Sequence, residues 1–209
     1  LGDVVSTEGS IGRVFARGDI GGSVSAEDGI TMVAALGGAV EGEEITAADV
    51  GIVMATGGDI SSSIESAGNI RMVRSSDDIT SPLIAGDRIG FVFATGGDVT
   101  GQIDADNGMS NLFAGRDMNA DVSVTGRLGR VTVRGRMRDS AIDVNDGGLG
   151  RLSVSGNVER SRITADDNIG AVSVGGDFAN STIDAGGLGR VVVRGVVRED
   201  DSDGDTDYI

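Results

Sequence analysis

Residues 89–109 read Ile89-Gly-Phe-Val92-Phe-Ala-Thr-Gly-Gly-Asp98-Val99-Thr-Gly-Gln-Ile103-Asp-Ala-Asp-Asn-Gly-Met109. The stretch is one copy of a phrase that fills most of the chain: an aliphatic anchor, a second apolar residue three positions on, a Gly-Asp-aliphatic corner, then a short aliphatic segment closed by Gly or Asn. The anchors fall at Ile11, Ile30, Val50, Ile70, Ile89, Met109, Leu128, Leu149, Ile169 and Leu188, in steps of 19 to 21 residues. The second column runs from Val14 to Val191, always Val or Leu. A third runs Ile20, Val40, Ile60, Ile79, Val99, Met118, Met137, Val158, Phe178 and Val197. A fourth reads Val24, Ile45, Ile64, Ile84, Ile103, Val122, Ile142, Ile163 and Ile183. Apolar identity held through every copy of four columns identifies a structural repeat, which takes precedence over any local reading.

Segments between corners are too short for helices, and Gly, Asp and β-branched residues dominate them, which signals strands and turns. A unit of three short strands and three corners cannot bury its own apolar side. Stacked units can, by pairing each strand with its copy in the next coil at ~4.8 Å. The expected fold is therefore all-β: a parallel β-solenoid of about ten coils over residues 1–198, with 199–209 as an acidic tail. Gaps between columns depart from the even six-residue steps of left-handed hexapeptide helices. That favours the right-handed form, in keeping with the preference for right-handed crossovers. Val5 to Ile11 spaces like Val24 to Ile30, so the chain is expected to open in mid-coil as a piece of a longer protein.

Composition narrows the chemistry. The 209 residues include no Cys and no His. All 17 cations are Arg, against 33 carboxylates, for a net charge of −16. Thiolate chemistry, imidazole-ligated metals and Ser–His–Asp triads are excluded, as are lysine Schiff bases. No apolar run is long enough to span a membrane as a helix. A strongly acidic surface argues against nucleic acid and anionic lipid as partners.

With these coils, the chain resembles right-handed parallel β-helix proteins: the pectate-lyase-like architecture and, in its short even coils, filamentous haemagglutinin-type surface adhesins. The likeness rests on periodicity and implies architecture more than activity. The tail segment Asp201-Ser-Asp203-Gly-Asp205-Thr-Asp207 resembles the start of a dockerin or EF-hand-type loop, in which alternate carboxylates converge on calcium. It departs from that pattern at Thr206, where the sixth-position Gly belongs, and lacks the twelfth-position acid. Calcium is the cofactor it admits; an acidic linker is the alternative.

Three further features bear on what the chain binds. Asp19, Asp59, Asp78, Asp98, Asp117 and Asp177, with Asn157 in line, form a corner column: either turn caps or a ladder for cations. Another corner is acidic but irregular, with Asp104, Asp143 and Asp166 among its members. On the first strand of each coil, period two points Phe15, Met32, Ile52, Met54, Met72, Phe91, Phe93 and Phe113 outward. A solvated face should be polar there, so an apolar stripe of this length is expected to be covered. A second copy, another domain of a parent chain, or another partner would serve. From Arg130 onward, Arg, Ser and Thr take over these slots, and the Arg130–Arg151–Arg190 column suits acidic glycan unless Asp139 or Glu159 quenches it. Residues 1–108 hold 5 Arg against 17 acids, whereas residues 109–198 hold 12 against 10.

The expected function is a structural or adhesive rod segment of a larger secreted or cell-surface protein. It is not expected to be an enzyme. The alternative is a carbohydrate-active β-helix enzyme, a polysaccharide lyase or hydrolase using Asp and Arg. Such enzymes grow uneven loops that wall a cleft, and these coils differ by at most two residues in length.

Overall fold

The computed structural model describes residues 2–199, which form a parallel β-solenoid of about ten turns without a helix. Every anchor pairs with its copy in the next coil. Ile11 lies beside Ile30, Ile30 beside Val50, and the series continues without a slip to Leu188. The strands that carry it include Ile11–Ala16, Gly29–Ala35, Asp49–Ala55 and Ile89–Ala94. All four aliphatic columns turn inward. From Ile30 through Val172, Ile84 apart, their members are almost completely buried, in one continuous core. The narrow bore explains the shortage of aromatics, because β-branched side chains stacked at strand spacing fill it. Buried Ile and Val side chains each contribute about 1.5–3 kcal/mol on the usual area scale.

The fourth column needs two corrections. Leu83, not Ile84, lies between Ile64 and Ile103. The corner from Ile79 spans the same four steps as that from Ile60 to Ile64, so Leu83 takes the inward slot. Ile84 alternates outward between Glu65 and Asp104 and is 37% exposed. Likewise Val4, not Val5, pairs with Val24, and Val5 faces solvent. Two adjacent aliphatic residues satisfy the repeat equally well, and only the count from the preceding corner separates them.

The third column changes character along the rod. From Ile20 to Met137 it is a run of single-residue bridges. From there it becomes a small parallel sheet of Met137–Arg138, Val158–Glu159, Phe178–Ala179 and Val197–Arg198. The corners that follow these strands carry a left-handed residue, Asp139, Arg160 and Asn180, with φ of 48°, 47° and 49°. Asn and Asp tolerate that conformation better than most residues.

Candidate interaction face

The first strand of each coil exposes two outward columns between the buried ones. One runs Arg13, Met32, Ile52, Met72, Phe91, Asn111, Arg130, Arg151, Ala171, Arg190. The other runs Phe15, Ala34, Met54, Arg74, Phe93, Phe113, Thr132, Ser153, Ser173, Val192. The period-two alternation therefore holds, and all eight apolar residues expected on this face lie on it. Phe15 and Phe91 are exposed, at 49% and 37%. Met32, Ile52, Met54, Met72, Phe93 and Phe113 are half-buried. Ala34 is fully buried although it belongs to the outward series between Phe15 and Met54.

The apolar columns form a sheet of side chains that cover one another. Phe91 and Phe93 stack with ring centroids 5.9 Å apart and an interplanar angle of 11°. Phe93 meets Phe113 at 6.2 Å, tilted by 52°. Offset and tilted pairs of this kind suit the ring quadrupole. Arg74 interrupts the second column between Met54 and Phe93. Arg74 is absent from the apolar residues expected on this face, although the alternation places it there. Beside Met32 and Ile52 lies a shallow groove of about 530 Å³, bordered by Arg13, Asp49, Asn69 and Arg71. Asp49 accepts hydrogen bonds from the Asn69 backbone N–H at 2.8 Å and its side-chain amide at 3.1 Å. These bonds, the backbone one foremost, hold the Asp49 carboxyl below its ordinary range.

The Asp corner column is a hydrogen-bond ladder between coils. The Ala39 amide donates to Asp19 Oδ1 at 2.9 Å. Asp78, Asp98 and Asp117 amides donate to Asp59, Asp78 and Asp98 at 2.9, 2.7 and 2.8 Å. Asn157 accepts from the Asp177 amide at 3.0 Å in the same way. Turn capping therefore accounts for these residues, with the bonded amide one coil further on. The preceding Gly completes the device, since a Cβ at Gly97 would overlap Asp78 Oδ1 and the Asp77 backbone. This Gly–Asp coupling is visible in the sequence as a recurring Gly-Asp pair whose partner lies a full coil away.

Beyond coil five the corners add ion pairs between coils. Arg160 holds Asp139 with two bonds, of 2.6 and 2.8 Å. Arg138 meets Glu159 at 2.9 Å, and Arg162 meets Asp143 at 2.9 Å. The Arg160 hydrogen bond lowers the Asp139 carboxyl below its ordinary value. The Asn157 amide, assisted by Arg138, does the same for Glu159. Both carboxylates expected to quench the Arg130–Arg151–Arg190 column are thus engaged at another corner.

The calcium ligands expected at Asp201, Asp203, Asp205 and Asp207 lie outside the described residues. Among the described residues, no group of three or more His, Cys, Asp or Glu is arranged to hold a metal ion. No helix of the described residues is long and apolar enough to cross a membrane. No family model, curated protein or solved structure matches the chain.

Proposed function

We propose that the chain is a stiff structural or adhesive rod segment of a secreted or cell-surface protein, associating through the apolar face of its first strands. The observation that carries this reading is the succession of outward Phe, Met and Ile side chains from Phe15 to Phe113, on a face that should otherwise alternate to polar. Rod and face act together. Coils stacked in register hold the apolar side chains in line, so an occupant gains contacts along a length without ordering flexible segments. A second copy or a further domain of the same parent chain is the occupant proposed. Calcium bound by the acidic tail belongs to the same proposal as a consolidating ion.

Sedimentation velocity across a concentration series tests the reading. The unmodified chain is expected to associate. Phe91→Ser combined with Phe93→Ser should weaken association about tenfold, as loss of two aromatic anchors implies. Both side chains point outward, so circular dichroism of the variant should be unchanged. A chain that stays monomeric at every concentration, alone and with its parent protein's other domains, overturns the associating face. A melting temperature that is the same in calcium and in chelator overturns the calcium part.

A further inference from the structure

Beyond the apolar coils, the same face becomes a grid of cations and hydroxyls. Its two outward columns, with the position just past each strand, hold Arg130, Thr132 and Arg134 in one coil, then Arg151, Ser153 and Ser155 in the next. The last coil supplies Arg190 and Arg194. Every charge on this grid is positive, in a chain of net charge −16. The five Arg side chains are exposed. Arg134 lies over the Phe113 ring at 5.1 Å. Arg130, Arg151, Arg190 and Arg194 have no carboxylate partner among the described residues, whereas Arg138, Arg160 and Arg162 on the other corner are paired.

Arg130 and Arg151 are direct neighbours in the strand register. Like charges set side by side across strands repel, and Asp139 and Glu159, the acids that could quench them, are paired at another corner. The arrangement gains free energy when an anion bridges the guanidinium groups, and Arg forks suit carboxylates in two-bond geometry. Spacing decides which anion. Arg130 and Arg151 stand one coil apart, at ~4.8 Å, and Arg190 lies two coils further, at ~9.6 Å, beyond Ala171. Duplex DNA is disfavoured by the chain's net charge of −16, this grid included. An extended polysaccharide with one carboxylate per sugar has a repeat close to the coil spacing. Its hydroxyls find Thr132, Ser153 and Ser173 between the Arg columns.

We propose that this grid is a docking surface for a linear, carboxylated polysaccharide lying along the rod axis. The surface is separate from the apolar coils, so the proposal stands or falls independently of self-association.

The test uses the full chain and polygalacturonate, with binding followed by titration calorimetry at low and moderate salt. Binding that weakens with salt is expected. Arg151→Ser should weaken it about tenfold, the scale of one charge-assisted pair, and Arg130→Ser with Arg151→Ser should abolish it. Arg151→Lys should fall between, having charge without the fork. Arg17→Ser, on the same face in the first coil, should bind as the unmodified chain does. Fully methyl-esterified polygalacturonate should not bind. Four results would overturn the proposal: no binding at low salt, equal binding by the Arg130/Arg151 double variant, equal binding of the esterified polymer, or tighter binding of duplex DNA. Unchanged thermal melts of the variants would separate lost binding from lost fold.

Discussion

Asp98 shows how a single side chain serves two coils. Its carboxylate accepts the Asp117 amide at 2.8 Å, and its own amide donates to Asp78 at 2.7 Å. Successive carboxylates in this column stand one coil apart, so each bond forms against repulsion from the neighbours. An amide side chain keeps the acceptor and removes the charge, as Asn157 does in place. Asp98→Asn is therefore expected to change stability by less than about 0.5 kcal/mol. Asp98→Ala leaves the Asp117 amide unpaired and should cost about 1–3 kcal/mol by urea denaturation. Gly97→Ala should cost more than either, because its Cβ would meet Asp78 Oδ1 and backbone together. Equal effects of the Asn and Ala substitutions would contradict the ladder.

The corner after the third column is where one element takes two forms. In later coils Ser140, Ser161 and Ser181 follow the left-handed residue and form a buried or half-buried chain. The Ser161 hydroxyl donates to the Glu159 carbonyl at 2.9 Å and accepts the Ser140 amide at 3.3 Å. In the shorter earlier corners Ser62 and Ser81 occupy the corresponding place, yet their buried hydroxyls have no protein partner. Ser161→Ala should destabilise by about 1–3 kcal/mol, while Ser81→Ala should be neutral or stabilising. Equal losses at both sites would sink this distinction. The paired acids of the same corners make part of the rod's stability depend on pH. Asp139 and Glu159 have carboxyls lowered in the fold by Arg160 and by Asn157 with Arg138. Their contribution is present above the ordinary values of 3.8 and 4.5 and is lost as pH falls through and below them. Melting temperature should decline across that window, and Arg160→Gln should make the decline shallower. A decline of unchanged slope in that variant would contradict the assignment. Sequence periodicity exposed the coils, but not this switch of corner. One inserted residue is visible as a longer step from Leu128 to Leu149, whereas its left-handed backbone and the Ser bonds are set by three-dimensional stacking.

At the scale of the molecule, most of the architecture was legible because one physical requirement recurs in every coil: an aliphatic side chain must meet its copy. Anchors and third-column residues could be read without error for that reason. The slips at Ile84 and Val5 arose where an adjacent aliphatic offered a second candidate. The outward face was legible from alternation, apart from Arg74. What covers it was not, since a partner leaves no period in the chain that binds it. The Asp column was legible as a corner, while its bonding to the next coil depended on which amide stacks above. The central claim is the in-register stack itself, and spin-label distances test it most directly, the chain having no cysteine to interfere. Thr46, Ser123 and Thr164 lie in one outward column, with Ser123 four coils and Thr164 six coils beyond Thr46. Nitroxides on Thr46→Cys with Ser123→Cys, and on Thr46→Cys with Thr164→Cys, should give distances near ~19 and ~29 Å, rising by ~4.8 Å per coil. Distances that fail to increase with the number of coils between the labels would contradict the solenoid.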